Sequence, residues 1–436
     1  MTQRIRRSTL TLIAFTGVLA VAACAPSSDD SSSAGSGSGD GAAKETTLTV
    51  WSWRVEDEAA YTKIFDAYEA KNKGVTVDFK AFKATEYNKV LATGLAGSDG
   101  PDVPQVRSYG QVEPTIASKS LVPLDGKVDL TGWDENVVNS AKSKADGKLY
   151  SVPLARQTVQ MFYNKGLFEK AGVSEAPKTW ADFTAANEKL LQSGVTPIAV
   201  GAKDDWTLPI VHEVLAAPRF GGAAFQEEVL SGKTSFTDPD FVASIDVLKQ
   251  LTKYMPKNVT GVAVTDAQTL FSAEKAAMFP GGSFDMAVLK KANPALDLGV
   301  FEVPAPEGSP EEKTTTPGWA DGNFAVNAKS PNQEAALELV KWMSTKEFGQ
   351  MVADEIKQIS AVPDVTYNDP LLKEMADNYS ESPSPYLLLT DFRYGSPSGT
   401  DLMGKGAQQL LLGSKSAAQV AADIDAGVKT WFKPTS

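Results

Sequence analysis

With 436 residues, 54 of them acidic against 42 basic, the chain carries a formal net charge of −12 and holds only one cysteine and one histidine. That length accommodates two or three domains with cores of their own, while the negative charge opposes partners such as nucleic acid or anionic lipid. One thiol excludes an internal disulfide and one histidine excludes a multi-histidine metal site; no metal or cofactor motif stands out.

The first segment reads as an export signal. Arg4, Arg6 and Arg7 precede an apolar run from Leu10 to Ala23, with small residues before Cys24, the order of basic head, apolar middle and cut site. The run is shorter than the roughly 20 residues of a membrane span. Val21-Ala22-Ala23-Cys24 matches a bacterial lipobox, so residues 1–23 are expected to be removed and Cys24 to become the acylated first residue. A buried thiol is the alternative, disfavoured because the cysteine sits inside the signal. Arg6-Arg7 hints at twin-arginine export, but the flanking residues fit Sec export better. Residues 24–44 are nearly all Ser, Gly, Asp and Ala, too poor in apolar surface to order, and are expected to form a tether. The glycines in "GSGSGD" have neither the preceding strand nor the following helix that a phosphate loop requires.

From Thr46 the hydrophobic period alternates between two and about 3.6. "TLTVWSW" is a strand with Leu48 and Val50 inward; "EDEAAYTKIFDAYEAKNKG" is a helix with Ala60, Ile64 and Tyr68 on one face, ended by Gly74. "VTVDF" (strand), "EYNKVLATGLAG" (helix) and "PDVPQV" (strand) complete a β-α-β-α-β run, which predicts a parallel, right-handed α/β layer. Ligands of such sheets bind beyond the carboxyl ends of the strands. That rule singles out Trp53, Arg54 and Glu56, then Lys83 and Glu86, then Arg107, Ser108 and Tyr109. A second α/β unit follows. "KTWADFTAANEKLLQSG" opens with a Thr179–Asp182 capping box, "TPIAVG" is a buried strand emptying into Asp204, Asp205 and Trp206, and "EKAAMFPGGSFDM" delivers Ser283, Phe284 and Asp285 at another strand end. "SPNQEAALELVKWMS" predicts a helix with Ser330 as N-cap and Pro331 at N1, and the last helix sets Val420, Ile424, Val428 and Phe432 four apart. His212, in "LPIVHEVLAA", has the apolar neighbours of a packed side chain.

"DGKLYSVPLARQTVQMFYNKGLFEKAGVSEAPKTWADF" resembles the central signature of the extracellular solute-binding proteins of family 1, the sugar-binding subunits of ABC importers. "LTVWSW", "LAGSDGPDV", "AAMFPGGSFD" and "NFAVNAKSPNQEAALELVKWM" fall in that family's order. Three positions depart from it: Phe284 stands where tryptophan is common, Gly166 replaces an aspartate, and Pro104 interrupts the third strand. The resemblance implies an α/β, two-lobed periplasmic-binding-protein-like fold (type II), each lobe an α/β sandwich, joined by hinge crossovers and closing on a ligand. It places residues 45–153 and 303–355 in the N-terminal lobe, and 154–302 and 356–436 in the C-terminal lobe.

A pyranose offers apolar C–H faces and a rim of hydroxyls, so its site needs aromatic surfaces and paired polar groups. The candidate faces are Trp53, Tyr109, Trp206, Phe284 and Trp319; the candidate polar partners are Arg54, Glu56, Arg107, Arg156, Gln157, Ser283, Asp285, Asp321 and Arg393. Trp180 and Trp342 lie in helical patterns and are expected in the core, whereas Trp51 is evenly balanced. The reading is a non-enzymatic, monomeric lipoprotein, anchored by Cys24 at the extracytoplasmic face of a bacterial membrane, that delivers a carbohydrate, expected to be a neutral oligosaccharide, to an ABC permease. The absence of a basic cluster argues against a highly anionic cargo. Two rivals stay open: a secreted glycoside hydrolase working through two carboxylates, and the same binding fold for a polyol, peptide or other solute.

Overall fold

The computed structural model of the protein describes residues 45–435; the signal, Cys24 and the tether lie outside the described residues. The described strands are β1 (Thr46–Ser52), β2 (Val75–Ala81), β3 (Val103–Val106), β4 (Ala155–Asn164), β5 (Thr196–Ile198), β6 (Ala276–Gly282), β7 (Leu298–Phe301), β8 (Thr316–Asp321), β9 (Asn323–Phe324), β10 (Ile359–Ser360) and β11 (Pro383–Pro385). They form two sheets, and this is the two-lobed α/β architecture that the sequence implies.

The smaller sheet has the order β2-β1-β3-β9. β1 runs parallel to β2 and β3, and β9 is antiparallel to β3. Leu48 and Val50 are fully buried, as the alternation requires, because one face of β1 receives the helix Glu58–Lys71. That helix turns Tyr61, Ile64, Phe65 and Tyr68 inward, each worth roughly 1.5–3 kcal/mol of apolar burial; Ala60 is only half buried. Pro104 does not end β3: it sits inside the strand opposite Trp51, and its carbonyl accepts from the Ala325 amide.

The larger sheet has the order β11-β8-β4-β6-β5, with β7 and β10 also pairing with β4. Ten-residue β4 is its spine, antiparallel to β6, β7, β8 and β10. The chain enters β4 just after Val152, which still bridges to Phe324 of the smaller sheet, and returns across Gly322, whose φ of +83° turns β8 into β9. β8, residues 316–321, lies within the stretch expected in the N-terminal lobe and pairs with β4 and β11 of the larger sheet until Asp321.

The capping box forms as expected, with Thr179 and Asp182 exchanging bonds at the start of the helix Trp180–Gln192. The helix expected to start at Ser330 instead runs Gln333–Trp342 with Asn332 at its N-cap. The Ser330 hydroxyl accepts from the Asn332 amide and donates to Asp102, so this residue serves a loop anchor and not the helix. Val420, Ile424 and Val428 are buried along the final helix Ala417–Val428.

Candidate functional site

Two walls face each other between the sheets. On the first, Trp53 leaves β1 and packs against Tyr87 with ring centroids 5.5 Å apart. The Arg107 guanidinium lies 3.7 Å above the Trp53 ring and 3.2 Å from Asp321 across the gap. Arg54 bonds Asp57 at 2.6 Å and Glu56 at 3.0 Å, and reaches the Phe284 carbonyl of the opposite wall at 3.4 Å. Burial works against the Arg54 charge, but the two carboxylates more than offset it and hold its pKa above the ordinary arginine value. For Arg107 burial outweighs Asp321, the single carboxylate beside it, and holds its pKa below that value. Tyr109 has a φ of +56°, a strained conformation for a residue with a side chain. It aims the hydroxyl across the gap to accept from the Ala320 amide at 3.1 Å.

The second wall is mainly aromatic. β6 ends in Gly282, against which the Phe284 ring folds so tightly that a Cβ has no room. Phe284 meets Trp319 edge-to-face at 6.3 Å, and Trp319 meets Tyr386 likewise at 5.0 Å. Trp206, 46% exposed, stands beyond the end of β5, where with Phe284, Asp285, Ile210 and Val264 it lines a cavity of about 20 Å³. Space of that size holds a water molecule and not a sugar ring. Asp285 accepts from the Gly282 amide at 2.9 Å and from Gln268 at 2.8 Å; burial dominates and pushes its pKa up to about 6.

A buried polar chain ties the walls together. Asp57 accepts from Gln358 at 3.5 Å, Gln358 from Gln157 at 2.8 Å, Gln157 from Ser283 at 2.8 Å, and Ser283 from the Thr158 amide at 3.2 Å. At the rim, Lys144 pairs with Asp391 at 3.1 Å and lies 3.8 Å over the Tyr394 ring. Gly110 touches the Arg393 carbonyl so closely that any side chain there would collide with it. Arg393 lies within electrostatic range of Tyr386, Arg107 and Asp321.

Trp53, Arg54, Arg107, Tyr109, Phe284, Trp319, Asp321 and Arg393 are thus brought together, with Gln157, Ser283, Asp285 and Trp206 adjoining. Glu56 touches the group only through Arg54. Arg156 does not join it. Gln157 pairs with Trp319 across the strands and Arg156 with Ala320, so strand alternation turns Arg156 to the other face, where it lies 3.6 Å from Asp134. Four contributors escape the sequence reading: Asp57, whose spacing of three from Arg54 is a usable signal, and Gln358, Tyr386 and Lys144, which carry none. His212 is buried on Phe220 and bonds Ser244 at 2.8 Å, and Trp342 packs on Tyr68 and Phe348. Among the described residues, no group of three or more His, Cys, Asp or Glu side chains is placed to hold a metal ion.

Residues 52–350 match the family model described as bacterial extracellular solute-binding protein. The "Multiple sugar-binding protein" of Streptococcus mutans is 26% identical over 71% of this chain and 74% of its own length. The "Diacetylchitobiose binding protein DasA" of Streptomyces coelicolor is 28% identical over 77% of each chain. A solved structure from work on xylan utilization by Caldanaerobius polysaccharolyticus superimposes with a TM-score of 0.75 over 87% of this chain and 99% of that one, at 22% identity.

Proposed function

The chain belongs to the bacterial extracellular solute-binding protein family, and from that premise we propose that it captures an oligosaccharide between its two lobes and hands it to the permease of an ABC importer. The observation that carries this reading is the pair of facing walls. Flat rings on one side suit the C–H faces of a pyranose, and fixed guanidinium, carboxylate and amide groups suit its hydroxyls. The sugars named in its relatives add support. In this reading Trp53, Tyr109, Trp206, Phe284, Trp319 and Tyr386 supply the faces, while Arg54, Arg107, Gln157, Asp285, Asp321 and Arg393 supply the polar partners. Each polar group desolvated against the cargo without a partner costs about 1–3 kcal/mol, which gives the site its selectivity. The lobes clamp the cargo because only the closed form touches it from both sides. Isothermal titration against a panel of mono- and oligosaccharides, paired with small-angle scattering, tests the reading: bound sugar should release heat and leave a more compact particle. No heat from any saccharide would overturn it.

The hydrolase alternative predicts product on prolonged incubation with the bound sugar; the capture reading predicts that chromatography returns the sugar intact. Cys24, as the acylated residue, would hold the folded part at the outer face of the membrane. Cys24→Ala should release the protein into the soluble fraction with unchanged sugar affinity, and a variant that stays membrane-bound through a salt wash would refute the anchor.

A further inference from the structure

The geometry points to a preferred cargo that bears a carboxylate, an oligosaccharide containing a uronic acid residue whose acid group is received by the Arg393 guanidinium. This inference rests on the carbohydrate reading above and names the substrate class within it. Of the three arginines gathered at the cleft, Arg54 is engaged by Asp57 and Glu56 and Arg107 by Asp321. The Arg393 side chain makes no hydrogen bond or ion pair with any described residue, and its Nε is buried without a partner. The groups facing it are Tyr386, Arg107, Asp321 and, from the first turn of the helix Gly399–Leu411, Asp401. Asp321 is already committed to Arg107, and Asp401 is exposed. Two guanidinium groups therefore share one carboxylate inside a partly desolvated gap.

Proteins seldom leave a buried donor without an acceptor, and such a group at a cleft is completed by what enters. A guanidinium presents parallel N–H groups that match the two oxygens of a carboxylate, and one added negative charge balances the excess within the Arg107, Asp321 and Arg393 group; the Arg54 group, with its two carboxylates, carries the opposite sign on its own side of the gap. Neutral hydroxyls would accept the hydrogen bonds and leave the charge unopposed. A phosphate dianion would bring its second charge against Asp321. Tyr386, buried edge-on to Trp319 and within electrostatic range of Arg393, backs the guanidinium with an apolar wall. The linear sequence gives no sign of a basic cluster, because Arg54, Arg107 and Arg393 meet only in the fold.

The test compares matched sugars by calorimetry at low salt: trigalacturonate against galactotriose, xylotriose with and without a glucuronic acid branch, and glucose 6-phosphate and sn-glycerol 3-phosphate as a phosphate arm. Charge-assisted hydrogen bonds of this kind change affinity by about 10–100-fold. An acidic sugar should bind at least tenfold tighter than its neutral partner. In Arg393→Gln the ratio of acidic to neutral affinity should collapse toward one, and Arg393→Lys should restore part of it, with both variants checked for unchanged melting. Neutral sugars binding as tightly as acidic ones, a ratio unmoved by Arg393→Gln, or tighter binding of the phosphates would overturn the inference while leaving sugar capture standing. Failure of every saccharide to bind would instead overturn the carbohydrate reading beneath it.

Discussion

The two walls of the cleft are built on opposite plans. On the first, Arg54 and Arg107 are already satisfied by Asp57, Glu56 and Asp321, so the wall is an electrostatic frame assembled before any cargo arrives. On the second, Phe284, Trp319 and Tyr386 meet edge-to-face, Trp206 is half open to solvent, and Arg393 has no partner. A prebuilt frame costs stability when broken and spends little on reorganisation when a ligand binds. An unfinished wall is where selectivity resides. The first wall should therefore answer to mutation mainly in folding free energy, and the second mainly in affinity, except at its buried carboxyl Asp285.

The largest effect should come from the frame. Asp57→Ala leaves Arg54 buried with one carboxylate fewer and releases Gln358 from the polar chain; a loss of about 3–5 kcal/mol in denaturant unfolding is expected. A loss below about 1 kcal/mol would show that this ion pair does not hold the wall. Next comes Asp285. Its folded pKa of about 6 lies above the ordinary carboxylate value, so the folded state binds the proton more tightly than the unfolded chain. The resulting stabilisation is complete below about pH 4 and lost as the pH climbs through 6. Asp285→Asn should flatten melting temperature between pH 4 and 6.5 and gain on the order of 1–3 kcal/mol at pH 7.5; an unaltered profile would assign the pH dependence elsewhere. The smallest effect belongs to Trp206→Ala, expected to leave melting unchanged while weakening sugar binding by about 0.5–1.5 kcal/mol. If melting fell and affinity held, Trp206 would be a loop anchor and the contrast between the walls would weaken.

What could be read from sequence divides along the same line. The smaller sheet is legible because its strands and helices alternate in chain order, Leu48 and Val50 mark the buried face of β1, and the strand-end rule leads directly to Trp53, Arg54 and Arg107. The spine of the larger sheet is not. Eight of the ten positions in β4 are buried because both faces are covered, and Gln157, Thr158 and Gln160 are buried there to serve polar contacts, so no period of two survives. The same strand makes the orientation of Arg156 unreadable, since register alone decides which face it joins. Phe284 and Asp285 are found because β6 ends abruptly in glycines; Arg393 is named without a strand-end cue, and Tyr386, from the same segment, is missed. Ser330 shows the limit of cap motifs: a hydroxyl before proline can be claimed by a distant carboxylate, here Asp102.

Eight tryptophans occur in the chain, and of these Trp206 is the most exposed, about half open to solvent. Trp53 and Trp319 are buried in the same cleft and the other five indoles lie outside it, half-buried, so a molecule settling beside Phe284 would change the surroundings of Trp206 the most. The protein thus carries its own optical reporter, and a shift of emission to shorter wavelength, much reduced in Trp206→Phe, would follow occupancy in real time without any attached dye.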